Sequence, residues 1–142
     1  MFIGEYQHSL DEKGRLAIPV KFRRELAKAV VTKGLDDCLV IYPAAEWKKL
    51  ADKLASLPIS QANTRAFSRL MLAGAMDVAV DGQGRVGLPD YLREFAGLNK
   101  KVIITGLYNR VEIWDQAKWE KYRQGVEGQS GEIAEKLGEL GV

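Results

Sequence analysis

The chain has 142 residues, one cysteine, and 21 Lys and Arg against 19 Asp and Glu, for a formal charge of +2. That balance excludes a global basic field for nucleic acid, so any anion-binding surface must be local. A single cysteine, Cys38, excludes an internal disulfide framework and any CxxC metal cluster, and no segment approaches the roughly 18 apolar residues needed to cross a bilayer.

The amino end, Met1-Phe2-Ile3-Gly4-Glu5, reaches an acid before any long apolar stretch, which predicts a cytoplasmic protein with no membrane association. Tyr6 to Leu10 and Leu16 to Ile18 alternate at period two and predict short strands around the loop Asp11-Glu12-Lys13-Gly14-Arg15. Pro19 suits the first turn of a helix because its missing N–H would lack an intrahelical partner, and Phe22 and Leu26 lie four apart on one face. Val30-Val31-Thr32 is β-branched and predicts a strand, followed by a turn at Asp36-Asp37 and a strand from Cys38 to Tyr42. A helix starts near Pro43, carries Trp47, Leu50, Ala51 and Leu54 on one stripe, and stops before Pro58. Ala62 to Ala73 predicts a second linking helix, with Ala66, Phe67, Leu70 and Met71 in register and Gly74 as its C-cap.

The pattern then starts again. The loop returns as Asp81-Gly82-Gln83-Gly84-Arg85, and 81 − 11 = 70. At that offset Leu10 faces Val80, Leu16 faces Val86, Ile18 faces Leu88, Pro19 repeats as Pro89, Phe22 faces Leu92 and Arg23 repeats as Arg93. Gly34-Leu35 reappears as Gly106-Leu107 and Trp47 as Trp119, now at offset 106 − 34 = 72, an insertion of the kind that connections tolerate. Val102 to Thr105 and Val111 to Trp114 predict strands around an Asn109-Arg110 turn, and Asp115 can cap a helix carrying Trp119 and Tyr122. From Gly125 the tail offers only Ile133, Leu137 and Leu140 as a thin stripe, consistent with a weakly held helix or disorder. The expected units are a first repeat over 5–47, linking helices over 48–75, a second repeat over 76–119 and a tail over 120–142. Half a chain this size buries too little surface alone. The two copies are expected to share one barrel about a pseudo-two-fold axis, with both loops emerging as a pair.

The loops carry the chemistry. Taken singly, such a loop is a tight turn with solvated charges. Its duplication, with Asp, Gly and Arg kept while Glu12 becomes Gly82 and Lys13 becomes Gln83, points to a requirement for those groups. Arg15 and Arg85 present planar forks of donors suited to phosphate oxygens and the O6/N7 edge of guanine. Asp11 and Asp81 are expected to structure the loops or orient the arginines. Lys13 is a natural phosphate contact, whereas Gln83 has no charge to offer, so the second loop is expected to bind more weakly or to read a base edge. Trp47 and Trp119 are assigned to packing. His8 and Cys38 lack the partners that metal binding or nucleophilic catalysis needs, so no enzyme, metal, cofactor or small-molecule substrate is expected. The competing reading is a protein-interaction module whose paired loops grip an acidic partner.

The two DxxxR loops, each followed by the Pro19 or Pro89 helix, together with Tyr42-Pro43, Glu46-Trp47, Ile113-Trp114-Asp115 and Trp119, resemble the MraZ family of bacterial transcriptional regulators, which have two SpoVT-AbrB-type halves. The likeness runs from Met1 to about Tyr122. It implies an α+β fold of two ββαββ repeats in a fused swapped-hairpin barrel with flanking helices. It also implies a homo-oligomeric ring, nucleoid association, and binding to short direct repeats of double-stranded DNA upstream of the protein's own division and cell-wall operon. The implied DNA contacts are Lys13, Gly14 and Arg15 in the first loop and Gln83, Gly84 and Arg85 in the second.

Overall fold

Residues 1–142 are described by a computed structural model containing eight strands and six helices. In chain order the first half contains β1 (Phe2–Ser9), β2 (Arg15–Ala17), α1 (Val20–Arg23), β3 (Ala29–Lys33), β4 (Leu39–Pro43) and α2 (Ala44–Ala55). The connector α3 (Ala62–Ser68) runs into a π-helical turn, Arg69–Ala73. The second half has β5 (Met76–Val78), β6 (Arg85–Gly87), α4 (Asp90–Ala96), β7 (Lys101–Tyr108), β8 (Val111–Asp115), α5 (Gln116–Glu127) and α6 (Ser130–Leu137).

Six strands form one antiparallel sheet in the order β1-β7-β8-β4-β3-β5, and β2 pairs with β6 as a separate two-stranded ribbon. The first strand of each repeat is therefore exchanged: β1 lies on β7 of the second half, and β5 on β3 of the first. Two facing pairs are repeat equivalents of each other, Leu16 with Val86 and Val40 with Glu112, so the pseudo-two-fold axis runs through both. The ladders leave β1 and β5 as edges, and a Leu10–Leu16 bridge ties β1 to the ribbon.

Register corrects one detail of the repeat. Tyr6 pairs with Ile104 and its counterpart Met76 with Val31, which makes Val31 and Ile104 equivalent at an offset of 104 − 31 = 73. Five residues, Gly97 to Lys101, occupy the space that Ala27-Lys28 fills in the first half, and the hairpin turn then loses one residue. Gly34-Leu35 and Gly106-Leu107 thus match in sequence without occupying equivalent positions.

The main core mixes both halves: Phe2, Leu16, Ile18, Phe22 and Leu26 pack with Val86, Leu88, Leu92 and Ala96 between ribbon and sheet. Burying such side chains stabilises by roughly 1.5–3 kcal/mol each, so neither repeat keeps this core without the other. β7 is buried continuously from Val102 to Thr105 because its two faces meet different layers. Val102 and Ile104 enter the main core, while Ile103 joins Cys38, Trp114 and Trp119 on the opposite side.

Local differences from the sequence expectations have physical causes. Pro19 stands at the N-cap of α1 (φ −50°, ψ 134°) rather than inside its first turn. α1 ends at Arg23, so Leu26 is buried beyond the helix instead of on it. The connector does not stay α-helical to Ala73. Around its π turn the buried Thr32 hydroxyl donates to the Met71 carbonyl at 2.7 Å, and Met71 alone of the expected stripe is buried while Phe67 faces outward. Asp115 does cap α5, accepting from the Lys118 N–H and also from Asn99. α5 passes through Gly125 to Glu127, and α6 beyond it buries no residue.

Candidate nucleic-acid interface

Each loop is built around its aspartate. Asp11 Oδ1 accepts the backbone N–H of Lys13 at 2.9 Å and of Arg15 at 2.8 Å, while Oδ2 accepts Arg15 Nε at 2.6 Å. In the second loop Asp81 Oδ1 accepts from Gln83 and Arg85, both at 2.9 Å, and Oδ2 accepts Arg85 Nε at 3.1 Å. Gly14 and Gly84 each donate to the carbonyl of their own aspartate at 3.0 Å, and both sit in the left-handed region, at φ 76° and 79°. Hydrogen bonds from the Arg15 and Arg85 backbone N–H groups lead in holding the Asp11 and Asp81 carboxyls below the usual carboxylate range. Both loops are therefore preformed with their aspartates ionised.

The ribbon sets the two loops side by side. Leu16 and Val86 pair at its centre and point into the core at 0% exposure. By alternation, the flanking positions point outward: Arg15 opposite Gly87, and Arg85 opposite Ala17. Diagonal neighbours of this kind lie about 7–8 Å apart, their Cβ atoms somewhat closer, within reach of long side chains. The loops also brace each other through the backbone, since Ile18 donates to the Gly84 carbonyl at 2.9 Å and Leu88 donates to the Gly14 carbonyl at 3.0 Å. Arg85 Nη1 lies 3.9 Å from Asp11 Oδ2, a contact whose mirror image is not formed. Only Nε of each arginine is hydrogen-bonded within the protein, which leaves the Nη groups of Arg15 and Arg85 without a hydrogen bond, Arg85 Nη1 having only the long approach to Asp11.

Two residues that spacing alone does not assign complete the arrangement. The Arg93 guanidinium of α4 lies against Gly14, and the Arg23 guanidinium of α1 lies against Gly84, so that a Cβ added at either glycine would overlap it. Arg23 Nε donates to the Ile18 carbonyl at 2.8 Å. Arg93 donates to the Leu88 carbonyl and to Asp90. The repetition of Arg23 as Arg93 is visible in the sequence. That each backs the loop of the other repeat follows only from the exchanged topology.

All the expected loop residues are thus brought together, and those assigned to packing stay apart from them. Trp119 sits edge-on to Trp114 at 5.3 Å, and Trp47 packs on Tyr42 at 5.8 Å. Cys38 is buried, its thiol donates to the Leu35 carbonyl, and burial pushes its pKa far above the ordinary value. His8 is held below its ordinary value by burial and by nearby Arg23. No cluster of three His, Cys, Asp or Glu groups could hold a metal, and no helix is long and apolar enough to cross a membrane. An open groove of about 530 Å³ lies between the Asp36-Asp37 turn and α5 and contains no loop residue. Half-exposed donor forks on a ribbon face, rather than in a pocket, suit an extended anionic surface better than a small ligand.

A family model described as "MraZ protein, putative antitoxin-like" matches twice, over residues 1–70 and 71–137. A protein of Acetivibrio thermocellus is 54% identical over 144 residues and one of Syntrophomonas wolfei 51% identical over 143, each comparison covering all of both chains. A protein of Carboxydothermus hydrogenoformans is 51% identical over 138 residues, covering 96% of each chain. All three are called transcriptional regulator MraZ.

Proposed function

The chain belongs to the MraZ family, and we propose that it is a DNA-binding transcriptional regulator rather than an enzyme, reading double-stranded DNA through the paired loops on the β2–β6 ribbon. The observation that carries this reading is the placement of Arg15 and Arg85 on one outward ribbon face with no Nη hydrogen bond inside the protein. A two-stranded ribbon fits the major groove, where a bidentate arginine on guanine discriminates bases by roughly 1–3 kcal/mol. Lys13 contacts phosphate, Gln83 contacts a base edge or sugar, Gly14 and Gly84 close the turns at positive φ and make room for Arg93 and Arg23 behind them, and Asp11 and Asp81 hold the arginine forks.

The finer reading follows from the family resemblance. The sheet and ribbon act as a fused swapped-hairpin barrel made by repeats 5–47 and 76–119, with 48–75 linking them and 120–142 trailing. Copies assemble into a ring in the cytoplasm, associate with the nucleoid, and engage short direct repeats upstream of the protein's own division and cell-wall operon. Such assembly supports binding by a chain of only +2 charge, because contacts after the first become intramolecular and raise avidity by roughly 10²–10⁴.

Binding titrations on a repeat-bearing duplex test the site. The wild-type log K should fall linearly with log salt at about −0.9 per phosphate neutralised. Arg15→Ala combined with Arg85→Ala should abolish the preference for the repeat over scrambled DNA. Tight, selective binding by that double variant would falsify the assignment, and capture of acidic proteins in place of DNA would favour an interaction module. Light scattering should report a closed multimer, and a monomer at micromolar concentration would remove the ring.

A further inference from the structure

Strand exchange gives each loop a neighbour from the other repeat, and the two neighbours differ in charge. The loop at 81–85 lies against α1, whose segment Val20-Lys21-Phe22-Arg23-Arg24 carries three positive charges and no negative one. The loop at 11–15 lies against α4, whose equivalent segment Asp90-Tyr91-Leu92-Arg93-Glu94 carries one positive charge and two negative ones. The guanidiniums touching the glycines differ in the same sense. Arg93 is paired with Asp90, whereas Arg23 has no carboxylate partner because Val20 stands where Asp90 does. Lys21 Nζ rides above the Tyr6 ring at 4.9 Å, so its charge stays at the surface. Its counterpart Tyr91 turns its hydroxyl back to donate to the Gly74 carbonyl at 3.0 Å. Arg24 is exposed, and its side chain makes no hydrogen bond or ion pair.

Resting on the DNA-binding reading, we infer that the principal phosphate-gripping half-site is a composite of both repeats, in which Gln83, Gly84 and Arg85 are joined by Lys21, Arg23 and Arg24 of α1. The loop that lost its own lysine borrows cations from the opposite repeat. The loop that kept Lys13 lies against Arg93, whose charge is already matched by Asp90, on a helix that also carries Glu94, and is left the weaker grip. This reverses the ranking suggested by the loop sequences taken alone. A charged side chain near a phosphate acts on every sequence equally, and each such contact contributes about 0.9 to the salt slope.

The experiment is a fluorescence-anisotropy titration of the full-length protein on repeat-bearing and scrambled duplexes across 50–200 mM salt. Lys21→Tyr with Arg24→Glu imports the residues of α4 at two exposed positions. It should lower affinity for both duplexes about tenfold or more and reduce the salt slope by about 1–2. Glu94→Arg should raise affinity for both. Should the double variant not fold, as judged by circular dichroism, Arg24→Gln alone should move affinity and slope in the same direction by a smaller amount. Unchanged affinity and slope in folded α1 variants, with binding still lost in the Arg15→Ala and Arg85→Ala double variant, would overturn the composite half-site and leave the DNA-binding reading standing. Wild-type binding by that arginine double variant would overturn both.

Discussion

The two loops are nearly superimposable in their hydrogen bonding and unlike in their surroundings. Aspartate, glycine and arginine recur at the same spacing, and the bonds that close each turn agree to within a few tenths of an ångström. Around that skeleton Lys13 is replaced by Gln83, and the helix backing each loop changes from acidic to basic. Divergence has spared the groups that fix the backbone and altered the groups that set local potential. Because the first strands are exchanged, a substitution in one repeat's helix is felt at the other repeat's loop. The halves therefore cannot be interpreted as independent modules.

The largest effects should come from the shared core, where the comparison is most easily broken. Phe22 is 1% exposed and meets Phe2 and Tyr6 edge-on at 5.1 and 5.3 Å, whereas its counterpart Leu92 is an aliphatic side chain at 0% exposure. Phe22→Ala should cost about 3–5 kcal/mol and Leu92→Ala about 2–5, measured by urea unfolding, with one cooperative transition in each case. Two separate transitions would show that the repeats fold apart. Next come the glycines. Gly14→Ala and Gly84→Ala each place a Cβ at positive φ against an arginine, a strain of about 1–3 kcal/mol. Gly14→Ala should be the worse of the two, since Arg93 is pinned by Asp90 and Leu88 while Arg23 holds only the Ile18 carbonyl and can swing away. The reverse order would mean that Arg23 is the more rigid neighbour.

Smaller in stability, and more telling for function, are the single arginine variants. Arg15→Ala and Arg85→Ala should each leave the urea midpoint near wild type, because both side chains lie outside the core. If each reads a base, each should remove roughly 1–3 kcal/mol of discrimination between repeat and scrambled duplex. Equal losses would indicate equivalent base reading by the two loops despite their different electrostatics. A loss confined to Arg15→Ala would assign reading to the first loop and gripping to the second.

Much of this was legible in the residues. The duplicated DxxxR loops, the strand order along the chain, the capping role of Asp115 and the core positions Phe22, Leu26 and Leu92 follow from period, turn chemistry and the offset of 70. The exchange of β1 and β5 was not, because pairing between distant strands leaves no local mark: Tyr6 carries the same alternation whether it faces Ile104 or Val31. For the same reason Arg23 could be seen to repeat but not to lie over Gly84. The true offset of 73 in β3 and β7 was masked by a compensating one-residue change in the following turn, and the π turn at Arg69–Ala73 depends on a tertiary bond from Thr32. Local rules gave the elements, and contacts distant in sequence decided what each element touches.

The subtlest expected difference between the loops lies in their response to acid. Asp11 and Asp81 are both held below the ordinary carboxylate value of 3.8, with the backbone N–H of Arg15 or Arg85 as the leading cause. The folded loops therefore prefer the ionised form. Their contribution is fully present above that ordinary value and is lost as pH falls through the lower folded value, as the native state takes up protons it had refused. Amide exchange at Arg15 and Arg85, corrected for its intrinsic pH dependence, should accelerate only below about pH 4 and should do so together in both loops. Asp11→Asn or Asp81→Asn should loosen its own loop at neutral pH and remove that acid response, because an amide nitrogen cannot accept the bond from arginine Nε. If the first loop instead resists to lower pH than the second, the 3.9 Å approach of Arg85 to Asp11 is an effective ion pair. The pseudo-symmetry would then be broken by charge within the loops themselves as well as by the helices behind them.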